Sequence, residues 1–526
     1  MNIADESVIL KRKTRYIHVG KRKENNNGGR DAEHDVYGRI VKYSGVFGGV
    51  QGLVILVTVI RTKIVARLLG TVGFGINEAF NRTINLVRST TDLGLPFSAV
   101  RSISVNYEEN DTAMLSRSVT VTRSWTFLTA MAGALLCFAL SPLFSLWAFE
   151  GDRGYTLSII LLSPAVAFSI ITGGEMAVLK GLRKLREIAV SQLLSVILAL
   201  SVSVPLFYFL GLLGLVPSLV AVSFLTMATT CFFSFRAMPY RIALLDRSIL
   251  KQGTGMVRLG VFFTIASFLG SGAFAVIANY LMKYGSSEVL GAYSAGYALM
   301  NYLGIFVFSA MESDYFPRLS SAAGDREESM KRMNQQIEIA VLLITPMVTA
   351  FIVFLEPIVK LLLTDEFCMA VPMARIAALS LYLKAVTQPM EYFSLAKGDS
   401  RTFLLLEAIY DVFFVLAVIL GFSRGGLMMT GAAITITGLF NVILVIVVVR
   451  KRFGLHLNAQ TRSLIAILPW PMLLALFTSF RLHGAAGWLS GTALLAVSVL
   501  ISYRELRRRT SFLDKLFDKI SKFTHR

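Results

Sequence analysis

Charge is scarce in this 526-residue chain: Asp, Glu, Lys and Arg make up 16% of it, against 55% hydrophobic residues. A soluble globular protein carries about 25% charged residues, and a chain of this size has too few here to wet its surface. That shortage excludes a soluble cytosolic enzyme and a disordered protein. Cysteine is rarer still. Cys137, Cys231 and Cys368 stand in no metal-type spacing. The histidines (His18, His34, His456, His483 and His525) fall in tails or links, so no zinc, haem or other cofactor is expected. Sustained alternation of polar and apolar residues is missing, which excludes a transmembrane β-barrel. The first 40 residues are polar and basic and lack the apolar core of a secretory signal. There is no Gly-rich phosphate loop and no Ser-His-Asp set.

Acidic residues are outnumbered 33 to 52, leaving a net charge of +19. In a soluble protein that excess would point to nucleic acid. Here most Lys and Arg sit between apolar runs, as the positive-inside rule requires, and no nucleic-acid partner is expected.

What the chain has in abundance is long apolar runs. They fall at about 43–69, 76–98, 119–147, 155–180, 188–211, 214–235, 256–282, 289–313, 336–362, 371–396, 403–421, 427–449, 463–480 and 485–503. Each can cross about 30 Å of hydrocarbon as a helix. The expected fold is an all-α polytopic membrane protein of about fourteen transmembrane helices. Basic links follow the fourth, sixth, eighth and twelfth runs, through Lys180–Arg186, Arg236–Arg258, Arg318–Arg332 and Arg450–Arg462. The alternate links, such as Gly211–Pro217 and Ser423–Gly426, are short and poor in charge. Both termini are therefore expected in the cytoplasm.

A weak duplication divides the chain. Lys42 and Arg258, Gly75 and Gly291, Pro142 and Pro357, and Lys180-Gly181 and Lys397-Gly398 recur at offsets of 215 to 217 residues. Six spans per copy is even, so the copies insert in parallel, a transporter architecture. The expected organisation is a basic cytoplasmic tail over 1–40, a first six-helix lobe over 41–240 and a second over 241–455, around a central cavity. Two extra helices over 456–503 and a basic amphipathic tail over 504–526 follow. The tail's Arg507, Arg508, Arg509, Lys515, Lys519 and Lys522 suit membrane phosphates, so membrane lipids are expected partners.

An ionisable residue at the centre of a membrane helix costs about 2.5–3.5 kcal/mol on insertion scales. The second run nevertheless carries Glu78, Asn81, Arg82, Asn85, Arg88, Ser89 and Asp92 at every third or fourth position. That spacing makes one polar stripe opposite Phe80, Ile84, Leu86 and Val87, as a wet cavity wall requires. Glu78–Arg82 and Arg88–Asp92 are spaced as helical ion pairs, which accounts for individual charges but not for the length of the stripe. Arg61 lies about five residues beyond the centre of the first run, while Lys63 and Arg67 are placed to reach one surface. Lys384 is near the centre of the tenth run, with Gln388 and Glu391 on its face, and Glu407 and Asp411 lie one turn apart in the eleventh. A short connection makes a Lys384–Asp411 pair an expectation. Glu175, Glu312 and Asp314 lie near the cytoplasmic surface in structural or gating positions.

Arg61-Thr-Lys-Ile-Val-Ala-Arg67-Leu-Leu-Gly70, then Gly73-Phe-Gly75 and Thr91-Asp92-Leu-Gly94-Leu-Pro96, resemble the opening of the MOP-superfamily polysaccharide flippases. These are the Wzx-type O-antigen and capsule repeat-unit exporters, with the lipid II flippases as cousins. Leu179-Lys180-Gly181 and Ala396-Lys397-Gly398, each before a basic loop, fit the same group, and the resemblance spans about residues 40–455. It implies a non-enzymatic transporter in the bacterial inner membrane. The implied substrate is an undecaprenyl-pyrophosphate-linked oligosaccharide, with a polysaccharide polymerase and chain-length proteins as implied partners. It places the group's cavity arginines on Arg61, Arg67 and Arg88. With the stripe, the candidate substrate contacts are Arg61, Arg67, Arg82, Asn85, Arg88 and Lys384, and the candidate coupling or gating groups are Glu78, Asp92 and Asp411. A multidrug or cation antiporter of the same superfamily would want an acidic or aromatic cavity. A membrane polysaccharide polymerase would want a large outward loop. Fourteen helices exceed the twelve frequent in Wzx-type proteins.

Overall fold

A chain crossing hydrocarbon has no water to satisfy its amides, so every N–H and C=O must bond within the protein. The computed structural model meets that demand with helices alone among the described residues, which are 28–149, 152–244, 246–362, 365–482 and 484–509. Residues 1–27 of the expected N-terminal tail and 510–526 of the C-terminal one lie outside that set.

The first bundle contains α1 (Gly28–Thr91), α2 (Leu95–Glu108), α3 (Thr112–Ala139), α4 (Ser141–Ala148), α5 (Thr156–Gly181), α6 (Leu185–Leu210) and α7 (Leu215–Ala237). The second contains α8 (Arg247–Tyr284), α9 (Ser287–Ala310), α10 (Phe316–Ala322), α11 (Arg326–Leu362), α12 (Val371–Ala377), α13 (Leu379–Lys397) and α14 (Ser400–Phe453). Then come α15 (Ala459–Ile467), α16 (Pro469–Arg481) and α17 (Gly484–Arg509).

Several expected spans are fused. α1 is helical throughout its 64 residues and takes in the first two runs. A methyl at Gly73 would lie 2.8 Å from Leu69 Cβ. Residues four apart on a straight helix hold their Cβ atoms about 5–6 Å apart, so α1 bends sharply there. α6 and α7 are joined by a 3-10 turn at Gly211–Gly214. α14 is interrupted at Gly425 and Gly426, whose φ/ψ of −153°/25° and 62°/−153° are not helical. Both breaks fall at expected charge-poor links. By length and apolarity, eight described helices qualify as membrane spans, or ten with two bent pairs, fewer than the expected fourteen. Part of the gap is fusion: Leu185–Ala237 and Ser400–Phe453 count once each although they hold 53 and 54 residues, where one crossing takes about 20.

The four basic links share one face. Arg183 donates to Ser321 Oγ at 2.9 Å, Arg117 to Ser248 Oγ at 3.0 Å, and Asn334 to the His456 carbonyl at 3.2 Å. Arg452 pairs with Asp399 at 2.6 Å, and Arg326 donates to the Gly454 carbonyl. We call this the basic face.

The second bundle packs around α11, where Ile337, Ile339, Leu342, Ile344, Val348, Ile352 and Leu355 are fully buried. α15 to α17 dock on this same helix. Glu338 of α11, 1% exposed, accepts from Thr461 Oγ1 at 2.6 Å and pairs with Arg509 at the end of α17. The first bundle has its own core around Val65, Phe80, Val87, Ala130, Ile159, Val166 and Leu219.

Candidate substrate cavity

The two bundles meet where the second-run stripe ends. Asp92 Oδ1 accepts from the Gly94 N–H at 2.9 Å, tightening the turn between α1 and α2. Gly94 has φ +62°, and a methyl there would fall 2.2 Å from the Gly260 carbonyl oxygen of α8. Only glycine allows this backbone-to-backbone approach. It also sets Phe97 of α2 in a stack between Phe263 and Phe316 of the second bundle, with ring centroids 4.4 and 4.3 Å away.

Beside this contact lies a cavity of about 410 Å³ walled by both bundles. The first bundle contributes Arg88, Asp92, Thr172 and Lys180, and the second Ser267 and Glu312. Lys180 Nζ and Glu312 Oε1 meet across the bundles at 2.6 Å. Glu312 stands on a five-residue π-helical turn, Met311–Tyr315, a rare element frequent at functional sites. The Arg88 guanidinium makes no hydrogen bond and no ion pair within 4.0 Å among the described residues, although Asp92 in the same cavity is near enough to feel its charge, so its donors are free towards the cavity. Neither helical pair that the spacing offered, Glu78–Arg82 or Arg88–Asp92, closes to within ion-pair distance. Along the stripe Glu78, Arg82, Asn85 and Ser89 are exposed and Asn81, Arg88 and Asp92 half-buried; opposite, Phe80, Ile84 and Val87 are buried and Leu86 half-buried. Arg88, Ser89 and Asp92 line the cavity, whereas Glu78, Arg82 and Asn85 do not.

Other candidates lie elsewhere. Arg61 donates to Ser203 Oγ of α6 at 3.1 Å and Arg67 is exposed; neither lines this cavity. Lys384 lines a second cavity of about 150 Å³ inside the second bundle, with Glu391, Glu407, Asn301, Tyr410 and Asn441. Glu391 accepts from Asn441 Nδ2 at 2.8 Å, and Lys384 Nζ stands 5.2 Å from the Phe308 ring centroid. The expected Lys384–Asp411 pair does not form. α14 packs against both α13 and α8. Glu407 faces the Lys384 cavity, whereas Asp411, one turn on, lies 3.8 Å from where a methyl on Gly270 of α8 would stand. Asp411 Oδ2 is buried without a hydrogen-bond partner.

Glu175 belongs to a buried cluster centred on Arg123. Arg123 Nε donates to Glu175 at 3.0 and 3.2 Å, and Nη2 at 3.1 Å. Ser234 Oγ donates to Glu175 Oε2 at 2.5 Å. Arg123 also holds the carbonyls of Pro239 and Met238 at 2.6 and 3.2 Å, anchoring the link between the bundles. Sequence reasoning missed Arg123, Lys180 as a cavity residue and the Gly94–Gly260 contact. An arginine inside the third apolar run was the available signal for the first.

A family model described as "Polysaccharide biosynthesis protein" matches residues 64–372. No curated protein matches the sequence at a meaningful level. Among solved structures, a MATE transporter superposes with a TM-score of 0.70 at 15% identity, covering 81% of this chain and 96% of its own. The Vibrio cholerae MATE transporter VcmN gives 0.70 at 13% identity, covering 80% and 98%. A MOP superfamily transporter from Pyrococcus furiosus, described as having a binding pocket of reverse polarity, gives 0.67 at 13%, covering 79% and 96%. At these identities the likeness is one of fold. The family match spans more than half the chain, and the chain belongs to the polysaccharide biosynthesis protein family, with the MATE-like fold of MOP-superfamily transporters.

Proposed function

We propose that this polysaccharide biosynthesis family member is a flippase, moving undecaprenyl-pyrophosphate-linked oligosaccharide units across the bacterial cytoplasmic membrane by alternating access. The observation that carries the proposal is Arg88: an uncommitted guanidinium between the bundles, at the end of an exposed polar stripe that includes Arg82 and Asn85. A diphosphate headgroup carrying sugars needs a wet path and a cation. Guanidinium can bind phosphate through two parallel N–H bonds. The apolar lipid tail stays in the bilayer. In this reading the basic face is cytoplasmic, as are both termini, and a polysaccharide polymerase and chain-length proteins act next on the flipped product.

The test is surface polysaccharide in cells carrying Arg88→Ala and Arg88→Lys. Losing a charge-assisted contact costs about 1.5–3 kcal/mol, so Arg88→Ala should lower export by about tenfold or more at unchanged protein level. Arg88→Lys should retain part of it. Wild-type export by Arg88→Ala together with Arg82→Ala would reject the reading. A cation-coupled drug antiporter is the second reading, favoured by the carboxylates Glu391 and Glu407 in the second cavity and by the MATE-like fold. It requires that deleting the gene sensitise cells to cationic dyes and leave surface polysaccharide intact.

A further inference from the structure

The Lys180–Glu312 pair differs from an ordinary surface ion pair in three ways. It joins the two bundles at 2.6 Å. Both partners line the cavity that holds Arg88. The acid sits on the π-helical turn, a local break in α-helical bonding of the kind frequent at functional sites. Lys180 is 16% exposed, whereas Glu312 is 47% exposed to the cavity. Lys180 belongs to the duplicated Lys-Gly motif, yet its counterpart Lys397 lies over the Phe393 ring at 5.7 Å and lines neither of the cavities described above. The duplicated lysine is thus used at the cavity in one copy alone.

We propose that Lys180 is a second ligand for the transported diphosphate, and that Glu312 stands in for a phosphate oxygen whenever the basic face is closed. This rests on the flippase reading. The carboxylate of Glu312 and a phosphate oxygen compete for the same ammonium, and both cannot have it. When the bundles part at the basic face, Lys180 leaves Glu312 and is presented, with Arg88, to a headgroup arriving from that side. When the headgroup passes from Lys180 to Arg88, which lines the same cavity, Glu312 regains Lys180 and the face closes behind the bound headgroup. The single-site exchange ties closure to the anion's leaving Lys180, because a liganded Lys180 cannot rebuild the cross-bundle bond.

The experiment uses full-length protein in nanodiscs, with spin labels at Arg186 and Glu327, both exposed on the basic face. The probe is farnesyl pyrophosphate, an isoprenyl diphosphate. Wild type should shift towards the longer inter-label distance as the probe is added. Glu312→Gln should occupy the longer distance before any addition. Lys180→Gln should also open, but need about tenfold or more probe to fill the remaining response, while Lys180→Arg should respond like wild type. Melting curves identify any variant that is merely misfolded, and Lys180→Arg carries the test if Lys180→Gln is one: a tenfold loss of response in it would then overturn the proposal. A Lys180→Gln response at wild-type probe concentrations reduces the pair to a simple latch and overturns the ligand role. An equal response to inorganic pyrophosphate assigns the site to free anion and overturns the lipid-headgroup role. No response in wild type removes the flippase reading itself, and the proposal with it.

Discussion

Replacing Glu175 by Ala should be among the most damaging single changes in the first bundle, and replacing its partner as well should be less so. The side chains of Arg123 and Glu175 are 1% and 4% exposed. Three of the guanidinium contacts end on Glu175. Removing the carboxylate leaves a buried cation without its counter-charge, which costs about 3–5 kcal/mol. Arg123→Met with Glu175→Met removes both charges and keeps apolar volume between Phe235 and Tyr240, whose ring centroids stand 5.2 Å from the guanidinium carbon. Ser234→Ala is added to both the single and the double variant, since its buried hydroxyl bonds both partners; what the double variant then still loses is the pair of bonds to the Met238 and Pro239 carbonyls. Those carbonyls belong to a link at the basic face, where water can replace the lost donor, so each bond is worth about 0.5–1.5 kcal/mol. The double change should then cost about 1–3 kcal/mol, less than the single one. The assay is the midpoint of thermal unfolding of purified protein, compared by rank at one scan rate because large proteins unfold irreversibly. A shift below about 1 °C for Glu175→Ala, the size expected for about 1 kcal/mol in a chain of this length, would refute the reasoning. So would a double variant less stable than both singles.

Three further outcomes are expected. Gly94→Ala places a methyl 2.2 Å from the Gly260 carbonyl oxygen at φ +62°, a conformation costing a non-glycine residue about 1–2 kcal/mol; export should be lost with protein still present, and wild-type export would sink the idea that the bundles must close there. Burial alone would push the Glu108 carboxyl up, but Arg183 and Arg332 outweigh it and hold it below its usual value. Its contribution to closure is therefore fully present above about pH 4.3 and lost as pH falls through the depressed value. The label distance across the basic face should lengthen only at such low pH, and Glu108→Gln should weaken that dependence, leaving the part carried by the Lys180–Glu312 pair; a wild-type profile in Glu108→Gln would be the contrary result. Lys384 shares its cavity with Glu407 and not with Asp411, so protein level in Lys384→Glu should be rescued by Glu407→Lys and not by Asp411→Lys; rescue by Asp411→Lys alone would show the reverse.

The helical membrane class was legible because apolar runs and basic links report directly on what lipid and water demand. The stripe from Glu78 to Asp92 was legible for the same reason: helical spacing assigns each residue to a face before any partner is known. Pairings between helices were not. Lys384 and Asp411 have the right chemistry and a short connection, but one helical turn moves Asp411 from α13 towards α8. Arg61 matched an opening motif, yet Ser203, 142 positions away, is what it touches. Gly94 and Gly260 looked like ordinary membrane glycines, since close backbone approach leaves no side-chain signature at either end.

Closure of the basic face is chemically lopsided. The first bundle mostly supplies donors and the second mostly acceptors. Lys180 meets Glu312 at 2.6 Å, Arg183 donates to Ser321 at 2.9 Å, and Arg101 donates to the Ala396 carbonyl at 2.6 Å. The reverse case is Arg332, whose nitrogen stands 3.6 Å from Glu108. Parting the bundles would break all four contacts, but it would uncover unequal surfaces. The first bundle would be left with Arg101, Lys180 and Arg183 uncovered, Arg183 still paired with Glu108 of its own bundle, and Arg88 beyond them at the cavity. The second would be left with neutral oxygens, Glu312 and the single cation Arg332. A duplicated fold need not divide its labour in this way, and the two Lys-Gly motifs have plainly diverged, with Gly181 against Ile103 and Gly398 against the Arg101 guanidinium. An anionic headgroup entering from the basic face would then be drawn along one wall, the first bundle's, while the second bundle supplies the groups that reclaim those cations once the headgroup has gone.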